Sequence, residues 1–436
     1  LVRLAAEQWK AEAGALEVRD GVITNSKTRQ TIGYGDLARS KDVAEAFKQS
    51  VSSDVVLTPV SEWKTLGTSV PRPNGRDVVT GAHHYPSDVV RPNMLYGKIL
   101  RPPSYGATLE SIDISKTQAI KDVVVVRDGE FVGCAAPSSS SAAQALDAIA
   151  ATASWKTTPQ PSDKEIHSYL KQHARTGGGA RPQTRGSVDS ALAGASKVLS
   201  ETYTLAYVQH TPMEPRAAIA EWNDGKLTVW SGVDGPQRVQ GDLAQALQVS
   251  SDRVRVIVPD MGGGFGGKHS GEAAEEAARL AKAAGRPVAV HWTRAEELTW
   301  AYFRPAAVIE CKGGLDAKGS LIAWDFTNIN AGGAGIDTPY NVPNTRILSA
   351  GSDSPLRQGS YRCLAATGNN FARESFMDEL AAAAGADPLA FRLAHLENSR
   401  IRTVLETVAK HFDWAARKKK VTAEIGVGLA CGTEKN

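Results

Sequence analysis

Apolar residues near the amino end recur at helical spacing. The stretch LEVRDGVI then alternates around Asp20-Gly21, which predicts a short hairpin. Between residues 71 and 155 the pattern turns β-rich and proline-punctuated. There MLYGKILRPP and DVVVVRDGEFVG predict strands and SAAQALDAIAATASW predicts a helix. Over residues 156–187 periodicity gives way to proline, glycine and polar positions, the composition of a long connector. Beyond it VLSETYTLAYVQH, AAIAEW, KLTVWSG, PVAVHWTR and LIAWDFTNINAGG predict strands, and VRVIVP predicts a buried one. An alanine-rich helix follows VRVIVP, with Ser270 as its N-cap and Gly285 ending it. Helices dominate from Phe371 to about Leu396, with Phe376, Met377, Leu380 and Ala384 on one face. Strands and helices mix without regular alternation, so the predicted class is α+β rather than a doubly wound sheet.

A chain of 436 residues with 42% hydrophobic and 22% charged residues has the composition of a globular protein of roughly three domains. Its 50 lysines and arginines against 47 acids give a net charge of +3, which supplies no general pull toward nucleic acid or an anionic membrane. The basic run Arg417 to Lys420 reads as a solvated face. Cys134, Cys311, Cys363 and Cys431 lie far apart without a C-x-x-C, so neither a zinc site, an iron-sulfur cluster nor a disulfide framework is expected. No apolar run approaches the ~18 residues of a membrane span. The chain starts without Met and stops after an apolar, glycine-spaced run, so both ends read as cut. A leader upstream of Leu1 is left open, and so is the compartment, cytoplasmic or periplasmic.

The densest chemistry lies in VIVPDMGGGFGGKHSGEAAEEAARLAKAAG. Gly262, Gly264 and Gly267 spell G-x-G-x-x-G, and Gly262 through Lys268 spell the start of a phosphate-binding loop. Strand, glycine loop and helix are the right context for a phosphate cradle at a helix N-terminus. Each nucleotide motif nevertheless lacks its decisive residue. His269 stands where a hydroxyl would hold magnesium, and Trp292, Thr293 and Arg294 stand where a ribose-binding acid would end the next strand. Glycines also serve plain tight turns, but five around the single Phe265 suggest close approach of backbone to something flat or polyanionic.

Two further stretches carry polar groups in compact settings. In SPLRQGSYRCLAATGNNFARESFMDELAAAAG, donors from Arg357, Gln358, Ser360 and Arg362 surround Gly359; forked donors grip a pterin or a pyrophosphate better than point charges do. A lone arginine is usually a surface charge. In YVQHTPMEPRAAIAEW, prolines on both sides of Met213-Glu214 fix an extended turn on which Gln209, His210 and Glu214 could converge on a ligand. Singly, His210 would be an ordinary structural histidine.

HTPMEPRAAIAEW, MGGGFGGK and PLRQGSYR…NNFARESFMDELA, in that order, resemble the molybdenum-binding large subunit of the xanthine dehydrogenase family, in the two-subunit branch of the isoquinoline 1-oxidoreductase β subunits. GRDVVTGAHHYPSDVVRPNMLYGKILRPP resembles the α/β hammerhead domain of that family. The resemblance covers residues 70–436. It implies an N-terminal partial segment over 1–70, a hammerhead domain over 71–155, a linker over 156–187 and the first part of a molybdopterin-binding domain over 188–436. It also implies molybdopterin with molybdenum, in the cytosine dinucleotide form, with no iron-sulfur cluster in this chain. The implied reaction is hydroxylation of a carbon next to a ring nitrogen or oxidation of an aldehyde, with electrons leaving to a small [2Fe-2S] subunit.

By the same resemblance Gly263, Gly264, Phe265, Gly266 and Gly267, with Arg357, Gln358, Gly359 and Ser360, bind the cofactor, and no side chain ligates the metal. Gln209, His210, Glu214 and His269 become substrate-pocket candidates. The purine enzymes carry glutamate where His269 stands, so a purine substrate is not implied. Their metal-facing glutamine falls at Val208 rather than Gln209. The general-base glutamate of the family sits in a G-x-G-E motif that is absent from these residues, so no catalytic residue is assigned and the chain alone is expected to lack turnover. A non-catalytic cofactor-binding remnant, or a nucleotide-binding protein built on Gly262–Lys268, are the competing readings.

Overall fold

The computed structural model describes the whole chain except residues 40–44, 46, 49, 51–56, 118–119, 176–181 and 434–436. The chain divides into two compact units, Leu1–Val79 and Thr80–Asn436. In the first, helix Val2–Trp9 packs Ala5 and Ala6 against a three-stranded sheet, with Leu16, Ile23 and Leu37 filling the small core. The expected hairpin is present: Leu16–Arg19 pairs antiparallel with Val22–Asn25. Asp20 and Gly21 both take positive φ, which lets the two-residue turn follow the twist of the strands.

The large unit is built on two mixed sheets. One has seven strands in the order Val254–Ile257, Lys226–Ser231, Ala217–Asn223, Val288–His291, Leu95–Ile99, Phe131–Ala136 and Val124–Asp128. Residues 95–136 and 217–291 therefore share one sheet, joined by the parallel pair Val288–His291 and Leu95–Ile99. The other sheet runs Gln183–Arg185, Asn344–Ser352, Leu321–Ile329, Ala307–Leu315 and Lys197–Leu205, with Ala174–Arg175 paired to Asn344–Ser352. Within the expected connector, helix Ile166–Gln172 buries Leu170 completely, so that stretch carries packed elements of its own.

Each sheet carries one helix that the sequence predicts, the alanine-rich one on the first and the amphipathic one on the second. Glu272–Ala284 lays Ala273, Ala274, Ala277, Ala278, Leu280 and Ala281 on the first sheet. Small residues bring its axis close to the strands, and Leu280 enters a hollow that exists because Gly97 has no side chain; a Cβ there would sit 2.5 Å from Leu280 Cδ1. Ala366–Ala384 covers the second sheet with Phe376, Met377 and Leu380, while Ala384 packs partly buried at the margin. Two expectations are corrected. The N-cap of the first helix is Gly271, because the Ser270 hydroxyl donates instead to Glu272 Oε1 at 2.8 Å. Val254–Ile257 is an edge strand, buried only at Val254, since it pairs on one side alone.

Candidate functional site

Where the chain crosses from one sheet to the other, three segments meet. Residues 206–216 leave Lys197–Leu205 and enter Ala217–Asn223; residues 292–306 run back from Val288–His291 to Ala307–Leu315; residues 353–365 lead from Asn344–Ser352 to helix Ala366–Ala384. Isolated bridges lace them together, antiparallel between Val208 and Arg304 and parallel between Phe303 and Gln358. The strand expected over 198–210 accordingly stops at Leu205 and resumes only as the single bridge at Val208. Onto this lacing folds the glycine loop, residues 261–268.

The loop glycines are required by protein neighbours. A Cβ on Gly262 would lie 2.5 Å from Glu214 Cβ, and one on Gly267 would lie 2.6 Å from the His210 ring. Gly266, at φ +87°, has Tyr361 Cα at 3.2 Å from where its Cβ would stand. Glu214 is the strut between turn and loop. Its Oε2 accepts from Gly262 N at 2.8 Å and from Lys268 Nζ at 3.3 Å, and its Oε1 accepts from the amide and hydroxyl of Ser87. Lys268 is 1% exposed, and burial pulls its ammonium below the usual lysine range although Glu214 opposes that. A sealed, acid-bound lysine offers nothing to a phosphate. The adjacent helix opens on Glu272 and Glu275, carboxylates that would repel one. The lysine that a phosphate-binding loop needs is therefore committed to Glu214, which speaks against the nucleotide-cradle alternative.

What the loop leaves open is backbone. Among the described residues, the amides of Gly263, Gly264, Phe265 and Gly266 meet no protein acceptor, although the carbonyls around them are engaged: Gly262 O by Glu214 N, Gly264 O by Gly267 N, Phe265 O by Arg362 N and Gly266 O by the Tyr302 hydroxyl. Gly263, Phe265 and Gly266 take positive φ and Gly264 does not. Such mixed handedness turns successive N–H groups into a concave donor set. Phe265 holds φ +55° with its ring half exposed, a conformation that costs about 1 kcal/mol for a side chain with a Cβ. Local strain, free amides and an exposed aromatic coincide at this one residue.

The groups that hold the loop in this form escaped sequence reasoning. Tyr302 donates its hydroxyl to Gly266 O at 2.6 Å and accepts from His269 N at 3.2 Å, while its ring fills the space left by Gly359, whose Cβ would be 2.6 Å away. Burial pushes its phenol up. Arg216, 4% exposed, bonds Gly267 O and Glu297, and reaches Glu272 Oε2 at 3.2 Å. Glu272 carries opposed influences: burial works against its charge, but Arg216 and Arg357 prevail and hold its carboxyl below the usual range. The only sequence signal was the capping box of Thr293 and Glu296, which begins the helix Arg294–Trp300 just before Tyr302.

The predicted residues scatter over several roles. Arg357 turns away from the loop, its guanidinium bonding Glu272 at 2.6 Å and its carbonyl accepting from Phe303 N. Gln358 is closed into a reciprocal amide pair with Asn330. Ser360 and Gly359 do flank the loop, together with Arg362, one of the donors expected around Gly359, and Tyr361, which was not singled out. As pocket residues Glu214 and His210 are corrected: both oxygens of Glu214 are taken, and His210 is sealed, with Nε2 donating to Ser360 O at 2.6 Å and Nδ1 buried without a partner. Burial lowers the His210 pKa. Gln209 donates to Ala301 O, leaving its buried Oε1 unpaired. His269 remains accessible, its Nδ1 3.4 Å from Asp234 Oδ2. Among the described residues no three His, Cys, Asp or Glu side chains converge as a metal site.

The loop thus presents a run of backbone donors, buttressed between two sheets and open to an acceptor group. The molybdopterin cofactor-binding domain family model matches residues 170–396, and the chain belongs to that family, within the large subunits of the xanthine dehydrogenase family. It is 30% identical to a subunit of the nicotinate dehydrogenase of Pseudomonas putida over 95% of this chain and 37% of that protein. It is 27% identical to the isoquinoline 1-oxidoreductase β subunit of Brevundimonas diminuta over 99% of this chain and 62% of that protein. The chain thus spans less than two thirds of the length of these relatives. In fold it is similar to the aldehyde oxidoreductase of Desulfovibrio gigas, with TM-score 0.71 at 19% identity over 81% of this chain and 47% of that one. Quinoline 2-oxidoreductase of Pseudomonas putida 86 gives 0.70 at 22%, over 82% and 56%.

Proposed function

We propose that this chain supplies the cofactor-holding surface of a molybdenum hydroxylase that acts on an N-heterocycle or an aldehyde. The observation that carries the reading is the run of free amides at Gly263–Gly266, held open by Glu214, Tyr302 and Arg216. That donor set fits an anionic pterin, which brings its own metal ligands. The amides of Gly263 to Gly266 would bind it, with Gly267, Gly359 and Ser360 forming the wall behind. The bound group would supply the redox chemistry that withdraws an electron pair from substrate carbon.

This chain's own residues bind and orient. Glu214 fixes the angle between turn and loop, Lys268 neutralises Glu214, and Tyr302 keeps the Gly266 carbonyl facing inward so that the neighbouring amides stay free. Phe265 presents a ring that excludes water beside the cradle. Names among the relatives, nicotinate dehydrogenase and isoquinoline 1-oxidoreductase, support a pyridine-type ring over a purine. A separate [2Fe-2S] subunit would take the electrons, and the cytosine dinucleotide form of the cofactor is the one we assign.

The test is elemental and nucleotide analysis of the chain purified from a bacterium that makes molybdenum cofactor. Molybdenum equimolar with protein and CMP released on acid hydrolysis are expected. Protein without molybdenum would sink the reading, and metal with GMP, or with no nucleotide, would correct the form of the cofactor.

A further inference from the structure

Where residues 304–305 meet residues 358–365 lies a recess of about 320 Å³, walled by Pro305, Ala331, Gly359, Tyr361, Leu364 and Ala365. A volume near the low end of ligand sites suits a small molecule, and the walls are chiefly apolar. Into the recess comes Arg304. Its backbone is pinned by the bridge to Val208, and its guanidinium lies over the Tyr361 ring, 5.5 Å from the centroid.

The charge of Arg304 is uncompensated. One terminal nitrogen donates to Ala206 O at 3.2 Å, Nε is buried with no acceptor, and among the described residues no carboxylate pairs with it. Its neighbours differ: Arg216 has Glu297 and Glu272, Arg357 has Glu272, and Arg101 has Glu276 and Glu296. The second terminal nitrogen of Arg304 is uncommitted, and Ser360, which also lines the recess, has a hydroxyl without a partner among the described residues. A half-buried cation without an acid, on an apolar wall beside an aromatic face, is the complement of a flat ring bearing one negative charge.

We propose that this recess binds the carboxylate of a small aromatic acid, with Arg304 and Ser360 gripping the oxygens and Tyr361, Pro305 and Leu364 enclosing the ring. The inference rests on the function proposed above only in making that acid a substrate. A single guanidinium between apolar walls favours a monoanion over a phosphate, the other oxyanion that could be held here.

Calorimetric titration of the full chain and of its R304Q, R304K and S360A variants with pyridine-3-carboxylate, its neutral amide and inorganic phosphate decides it. The acid should bind the unaltered chain at least about tenfold more tightly than the amide. R304Q should abolish that preference, R304K should keep part of it, and S360A should weaken it. Equal affinity for acid and amide, or a preference that survives R304Q, would overturn the site. Phosphate binding as tightly as the acid, with the same dependence on Arg304, would overturn the aromatic assignment. Molybdenum content of the same preparations separates the two readings. Metal present without acid preference defeats the recess alone, and acid preference without metal defeats the proposed function alone.

Discussion

Two buried arginine networks lie in the large unit, and they do opposite things. Under helices Ala366–Ala384 and Pro388–Ala394, Glu374 receives Arg373, Arg392, the Tyr340 hydroxyl and the Cys431 amide, while the arginines spend their remaining donors on Asp378, Asn370 and nearby carbonyls. The donors of both arginines are spent on protein acceptors. Around Arg216 the network instead ends on Gly267 O, a carbonyl of a loop whose neighbouring amides stay free. Buried charge alone therefore marks no site. What marks one is buried charge used to hold a backbone open.

The largest effects should come from breaking each network at its arginine. Arg216→Met strands Glu297 and should cost about 3–5 kcal/mol in urea unfolding, the scale of a buried charge left alone; Arg392→Met should cost less, since Glu374 keeps Arg373, Tyr340 and the Cys431 amide. The difference lies in the folded fraction. Arg216→Met should lose molybdenum and Arg392→Met should keep it, so equal loss of metal in both would erase the distinction drawn between them.

Next in size are two glycines that look alike in sequence. A methyl group on Gly267 would press the His210 ring at 2.6 Å, and one on Gly313 would meet Leu380 at 3.0 Å and Phe376 at 3.1 Å. Gly267→Ala should cost about 1–3 kcal/mol by overpacking, because His210 is fixed to Ser360 O. Gly313→Ala should cost about 1 kcal/mol, since apolar side chains shift more easily than a hydrogen-bonded ring. Hydrogen exchange should accelerate at the bonded amides of Gly262 and Arg362, which tie the loop down, in the first variant only. Unchanged exchange in Gly267→Ala would show that the loop does not depend on this contact.

These glycines show where sequence reading reaches its end. The apolar periods of Glu272–Ala284 and Ala366–Ala384, and the turn at Asp20-Gly21, are local signals, and the structure follows them. The strands Ala307–Leu315 and Asn344–Ser352 went unread, because AVIECKGGL and NTRILSAGS are broken by glycines and polar positions that only their partners explain. The MGGGFGGK loop was rightly singled out as a close-approach segment, but the object approached is largely protein: Glu214, His210 and Tyr361. Tyr302 and Arg216 were invisible because their partners lie 36 and 51 residues away, on backbone atoms that leave no trace in side-chain identity.

The smallest effects, and the ones that separate the networks most cleanly, are on pH. Burial holds the His210 pKa below its usual 6.5, so the unfolded chain takes up that proton first as pH falls. Stability from this group is present above about pH 6.5 and declines below it, toward the folded pKa. The hydrogen bond to Ser360 O opposes the effect most, Arg216 and His269 deepen it and Glu297 opposes it. Tyr340 in the other network runs the opposite way. Burial and then Glu374 hold its phenol above the usual 10.0, so the unfolded chain ionises first, and stability present below pH 10 is lost as pH rises. Urea midpoints measured from pH 5 to 11 should show His210→Gln lessening the slope of the acid limb only and Tyr340→Phe that of the alkaline limb only, with His291 and the other buried tyrosines keeping the remainder. An acid limb untouched by His210→Gln would mean that the ring is protonated as readily folded as unfolded, which its sealed Nδ1 opposes.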